Sequence, residues 1–89
     1  MEEILIGIFP NLQKRLVRET LPDMVKYCRE EHIRIALPEA VAAEFGVASY
    51  DQEDLESLKK LSVALTLGGD GTILRAAHYV TPAGIPLLG

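Results

Sequence analysis

The stretch "LTLGGDGTILRAA", residues 65–77, decides how this chain folds. An apolar run, Ser62 to Leu67, breaks on three glycines around one aspartate and turns at once into a helical pattern, Thr72 to Val80. A structural turn needs one glycine or two. Three glycines and a carboxylate describe a backbone that lets a ligand come close.

Working outward, the same alternation recurs. "ILIGIF" (Ile4 to Phe9) is a short apolar run closed by Pro10-Asn11, and "IRIAL" (Ile33 to Leu37) is another, ended by Pro38. "IPLLG" at the carboxyl end looks like the start of a further strand. Runs apolar throughout are strands buried on both faces. Helical stretches between them imply right-handed crossovers and an α/β fold: an open parallel sheet of about four strands with helices on both faces, Rossmann-like.

The helices carry their own punctuation. Thr20, Leu21, Pro22 and Asp23 resemble a capping box with proline in the first turn, so a helix is expected from Leu21 to Glu31. Residues 12–19 then form a separate turn or the same helix kinked at the proline. Leu21, Met24, Val25 and Cys28 make its buried stripe. "PEAVAAEFG" is a short helix with Pro38 near its start and Gly46 past its end, and Val41, Ala42 and Phe45 on one face. "ASYDQEDLESLKK" is polar and acidic, with one or two helical turns between Asp51 and Lys60.

Composition narrows the function. Eighty-nine residues make one small domain, which buries roughly 60–65% of its unfolded surface. A net charge of −4, no Trp and 6% aromatics argue against nucleic acid as a partner. Lys14-Arg15 and Lys59-Lys60 read as solvated helix faces, with a local basic spot beside a phosphate site as the other reading. Single Cys28 can form no internal disulfide and nucleate no metal cluster, and reads as a core residue. The start lacks the basic residues of a signal peptide, and its apolar run is too short for a membrane span, so a cytoplasmic protein is expected. His32 reads as an exposed helix-end cation, and His78 and Tyr79 as packing or surface residues.

The glycine turn sits at the carboxyl end of a strand, where ligands of open α/β sheets bind. Gly68 and Gly69 can adopt positive φ and put no side chain in the way. Gly71 sits where the next helix begins, so nearby N–H groups and the helix dipole favour an anion. No G-x-G-x-x-G is present, and no G-K-[ST] ending. Asp70 is the departure, because a carboxylate repels a phosphate. Its ligand tasks are to take a proton from a substrate hydroxyl or to hold a magnesium ion that bridges to phosphate. Its structural alternative is to cap the helix. Thr72 is a helix-start hydroxyl or a phosphate or metal contact, and Arg75, one turn on, reaches a ligand phosphate or stays on the surface.

The run "LGGDGTILRAA" with "GIPLLG" at its distance resembles the NAD kinases, and "ILIGIFPN" looks like that family's first strand and turn. The Gly-Gly-Asp-Gly core is shared with diacylglycerol/sphingosine kinases and 6-phosphofructokinases, and "GIPLLG" tips the choice. The resemblance implies transfer of a phosphoryl group from ATP, or polyphosphate in some members, to the ribose 2′-hydroxyl of NAD, with a divalent metal such as Mg²⁺. It implies Asp70 as general base, Asp70, Gly71 and Arg75 at the dinucleotide, and Gly68, Gly69 and Thr72 shaping the loop beside the phosphates. A free aspartate is a weak base at pH 7, so positioning and charge neutralisation must supply most of the effect. No protein ligand to the metal is assigned in this chain.

The family's second, β-rich domain is missing from these residues. The chain is therefore expected to be an amino-terminal domain, inactive alone and part of a homo-oligomer when complete. The alternatives are a non-catalytic nucleotide-binding or assembly module, and a lipid or sugar-phosphate kinase of the same superfamily.

Overall fold

The computed structural model describes residues 3–89. Five strands form one parallel sheet: β1 (Leu5–Pro10), β2 (Arg34–Pro38), β3 (Ala48–Tyr50), β4 (Val63–Leu67) and β5 (Leu87–Leu88). They lie in the order β3-β2-β1-β4-β5. Helices α1 (Arg15–Glu30), α2 (Glu39–Phe45), α3 (Leu55–Leu58) and α4 (Asp70–Val80) connect them. The chain builds outward from β1 to β3, then crosses back to lay β4 on the other side of β1. The carboxyl ends of β1 and β4 therefore flank the switch point, where connections leave in opposite directions and open a crevice.

Each sheet face has its own core. On one face α1 and α2 bring Leu21, Val25, Cys28 and Ala42 onto Ile8, Ile35 and Leu37. On the other, α3 and α4 bring Leu58, Ala76 and Val80 onto Phe9, Ala36, Tyr50 and Ala64. Adjacent residues Ile8 and Phe9 thus serve opposite faces, as strand geometry requires. Both faces are apolar because both are covered, which is the arrangement the unbroken apolar runs implied.

Three expectations are corrected. The sheet has five strands rather than about four. The extra one, β3, opens the polar stretch "ASYDQEDLESLKK"; it is three residues long, sits at the sheet edge and buries only Tyr50. A half-exposed edge strand needs no apolar run, so the pattern that revealed the others does not reveal it.

The second correction concerns Pro22. Helix α1 is one helix from Arg15 to Glu30 with Pro22 inside it, and the Thr20–Asp23 box caps nothing. Extending the helix back to Arg15 buries Val17 on the same stripe as Leu21, Val25 and Cys28. Burying a valine contributes roughly 1.5–3 kcal/mol, comparable with the ~3 kcal/mol of a mid-helix proline. Pro22 faces solvent, and the Arg18 guanidinium ties the helix entry to the Leu12 carbonyl at 2.7 Å. The third correction is small: α4 begins at Asp70, one residue before Gly71.

Other readings hold. Helix α2 ends on Gly46 with φ 65°, the left-handed cap expected there. Cys28 is a core residue, and burial pushes its thiol pKa up.

Candidate functional site

The site begins with the turn after β1. The Asn11 N–H donates to the Leu67 carbonyl at 2.8 Å, which ties the ends of β1 and β4 together. Asn11 Oδ1 accepts from the Gln13 N–H at 3.1 Å, a side-chain-closed turn. The turn delivers Lys14 to the start of α1, and its ammonium donates to the Gly68 carbonyl. By sequence Lys14 is half of a basic pair that reads as a solvated helix face. The fold puts it over the glycine turn, the local basic spot that was its other reading.

The first two glycines have reasons inside the chain. Gly68 and Gly69 hold φ 153° and 146°, values that side chains rarely adopt. A Cβ on Gly68 would stand 2.4 Å from Thr72 Oγ1 and 2.8 Å from Asn11 Cβ. On Gly69 it would meet Lys14 Nζ at 3.1 Å. The third is different: Gly71 is helical and exposed, and a Cβ there meets nothing within 4 Å.

Helix α4 starts by pointing the Thr72 and Ile73 N–H groups back at the Gly69 carbonyl, at 3.0 and 3.1 Å. Among the described residues nothing takes the N–H of Asp70 or Gly71; these are the orphan donors of a helix N-terminus. The residue at the cap position is Gly69, and no side chain caps the helix. The structural alternative for Asp70, that it serves as the cap, is therefore not what the fold uses it for. Its carboxylate is exposed, and among the described residues it forms no ion pair.

A groove of about 660 Å³ opens here, over the carboxyl ends of β1, β2 and β3 and against the start of α4. Gly69, Asp70, Gly71, Thr72 and Arg75 all line it, as does Lys14. Gly68 does not; it lies under the turn, packed on Thr72 and Asn11. The far wall comes from Pro38-Glu39 and from Tyr50, Asp51, Gln52 and Glu53. The sequence gives no signal for that wall, because β3 is a short edge strand without an apolar run and its position is set only by strand order.

Tyr50 fixes the wall to the sheet. Its hydroxyl donates to the Ile8 carbonyl at 2.7 Å in the buried interior, and its ring stands 4.7 Å from that of Phe9. Burial pushes its ionisation far above the usual phenol range. Tyr79 lies outside the groove lining and donates to Glu53 Oε1 at 3.2 Å, holding the wall from α4; His78 stands edge-on to it at 5.2 Å.

The sheet order and this turn define a doubly wound α/β domain with a glycine-lined crevice at its switch point. The family model described as "ATP-NAD kinase N-terminal domain" matches residues 3–89, and the chain belongs to that family. The resemblance carried by "LGGDGTILRAA" and "GIPLLG" is thereby borne out. Among curated relatives, an NAD kinase of Moorella thermoacetica is 40% identical over 84 residues, 94% of this chain and 27% of its own. One from Natranaerobius thermophilus is 37% identical over 84 residues, 94% of this chain and 29% of its own. One from Thermoanaerobacter sp. is 33% identical over 82 residues, 92% and 29%. The chain thus spans under a third of the length of these relatives.

Proposed function

We propose that this chain acts as the amino-terminal domain of an NAD kinase, which moves the terminal phosphoryl of ATP to the 2′-hydroxyl of the adenosine ribose of NAD. The observation that carries the reading is the Asp70 carboxylate. It is exposed, unpaired among the described residues, and set at the first position of α4 beside two free N–H groups. Of the two ligand tasks open to a carboxylate that lines the groove and is not used as a cap, the resemblance to the family favours taking a proton over holding a metal. Asp70 accepts the proton of the attacking hydroxyl as the new O–P bond forms and the bond to ADP breaks. The Asp70 and Gly71 N–H groups, Lys14 and Arg75 meet the phosphate charge. Gly71 keeps the approach open, and Gly68, Gly69 and Thr72 hold the turn.

Among the described residues no group of three His, Cys, Asp or Glu could hold a metal, so these residues offer no protein cage for one. Magnesium travelling with nucleotide phosphates keeps several waters and needs few protein ligands, and none is assigned to it among these residues. Bound with the donor, it would neutralise phosphate charge.

The complete protein is proposed to be a cytoplasmic homo-oligomer. Among the described residues no helix is long and apolar enough to cross a membrane. The 89-residue chain by itself is expected to make no NADP, since its groove is open on the solvent side. In the longer kinase, Asp70→Asn should lower turnover by about 10²–10⁴-fold, with NAD binding roughly retained. Near-normal turnover would return Asp70 to a helix-dipole role. A non-catalytic assembly module is the second reading, favoured by Leu74 and Leu88, 73% and 57% exposed. Loss of oligomer in Leu74→Lys, in a longer protein that makes no NADP, would favour this second reading.

A further inference from the structure

Of the aspartates in the chain, Asp23, Asp51, Asp54 and Asp70, only Asp70 is followed by glycine. The fold leaves this pair unguarded. The carboxylates of the two loop aspartates are engaged: Asp51 Oδ1 accepts from the Glu53 N–H at 2.9 Å, and Asp54 Oδ1 from the Glu56 N–H at 3.0 Å. Asp23 lies inside α1, with helix on either side. Asp70 is exposed, caps nothing and forms no ion pair among the described residues. The Gly71 N–H has no acceptor among them, and nothing stands within 4 Å of where a Gly71 Cβ would be. The pair opens α4, and the first turn of a helix is where local opening costs least.

We propose that Asp70–Gly71 is a site of spontaneous backbone modification, the isomerisation of the aspartate to isoaspartate through a cyclic imide. When the helix start opens, rotation about the Asp70 Cα–C bond brings the Gly71 nitrogen onto the side-chain carboxyl carbon, Cγ. A bond forms from that nitrogen to Cγ. The nitrogen gives up its proton and Cγ its hydroxyl, which leave together as water. A side chain on residue 71 would crowd the five-membered ring, and glycine does not. Water then opens the ring at one of its two carbonyls. Attack at Cγ returns aspartate, whereas attack at the former main-chain carbonyl routes the backbone through Cβ and leaves the carboxylate directly on Cα. One water is lost and one regained, so the step needs no oxidant or reductant and the mass is unchanged. The product adds a methylene to the main chain at the first residue of α4 and draws the carboxylate back by one bond. The isomerisation follows from the turn alone. Its effect on turnover rests on the kinase reading, in which a base displaced by about 1 Å costs on the order of 10²-fold.

The test ages the longer kinase at neutral pH and maps its peptides by electron-transfer mass spectrometry, which distinguishes isoaspartate from aspartate. Isoaspartate at position 70 should build up roughly tenfold or more faster than at Asp23, Asp51 or Asp54, and Gly71→Ala should slow it by roughly tenfold. Equal rates at all the aspartates, or a rate unmoved by Gly71→Ala, would overturn the proposal. Asp70→Asn gives a second check, since the same ring forms from asparagine with loss of ammonia. On ageing, that variant should gain aspartate and isoaspartate at position 70, and D70N/G71A should lag it by roughly tenfold; no conversion in the single variant would also overturn the proposal. NADP formation is followed in parallel and should fall in proportion to isoaspartate at position 70. Isomerisation in a protein that makes no NADP even when fresh supports the modification and overturns the kinase reading instead. Turnover that survives complete isomerisation supports the modification and removes Asp70 as the base.

Discussion

Gly68 holds φ 153° with the Thr72 hydroxyl where a Cβ would be, whereas Gly71 is an ordinary helical residue with open space at its side. The fold requires glycine at the first position and not at the second. Gly68→Ala combines a disfavoured φ with contact against Asn11 and Thr72, and should destabilise the 89-residue chain by about 2–4 kcal/mol. Gly71→Ala meets nothing and gains helix propensity, so it should stabilise by about 0.5–1 kcal/mol while weakening nucleotide binding in the longer kinase. Urea denaturation of both variants checks the first pair of signs, and a Gly71→Ala protein that is less stable than wild type would contradict this account. That three glycines surround Asp70 was legible in the sequence. Which of them the turn itself requires was not, because that depends on Thr72, Asn11 and Lys14 arriving from two different elements.

Helix α1 shows where local rules yield to packing. Pro22 and the Thr20–Asp23 pattern are a start signal in isolation, yet the helix runs through them because Val17 extends the buried stripe. Its other end keeps to local rules with an unusual residue. His32 takes φ 59°, its N–H donates to the Arg29 carbonyl at 3.3 Å, and the Ile33 N–H donates to the Cys28 carbonyl at 2.8 Å. This is a Schellman cap with histidine where glycine is usual. His32→Gly should therefore raise stability by about 1 kcal/mol, the order of the left-handed penalty it removes. The comparison of melting temperatures checks it, and a lower value for the glycine variant would show that the imidazole has a partner of its own. The sequence placed His32 correctly at an exposed helix end but could not show its backbone angle. Helix α2 uses Gly46 for the same task and was read without difficulty.

For the molecule as a whole, Tyr50 links the edge of the sheet to its centre. Its hydroxyl on the Ile8 carbonyl anchors β3, two strands away from β1, and with it the acidic wall of the groove. Because burial raises its pKa, the folded chain keeps the phenol proton where the unfolded chain has released it. Below a pH of about 10 both states hold the proton and stability is unaffected; above it stability falls, by up to about 1.4 kcal/mol per pH unit. The raised thiol of Cys28 adds a loss of the same sign, beginning above about pH 8.5. Tyr50→Phe leaves the Ile8 carbonyl unpaired and should cost about 1–3 kcal/mol at pH 8. It should also flatten the decline of melting temperature between about pH 9.5 and 11. An equal decline in both proteins would remove Tyr50 as its source.

The sequence by itself determined the parallel α/β class, four of the five strands, the turn and its carboxylate, and the family. Each of these is written in local pattern: unbroken apolar runs, glycine count, the spacing of "GGDGT" from "GIPLLG". Only the tertiary structure decided that β3 exists, that Lys14 stands over Gly68, and that Glu39, Asp51 and Glu53 face the same groove as Asp70. Those residues come from four separate strand ends, and their neighbourhood is created by the order β3-β2-β1-β4-β5. Strand order is a long-range choice, set by which apolar faces bury each other, and no short window of residues contains it.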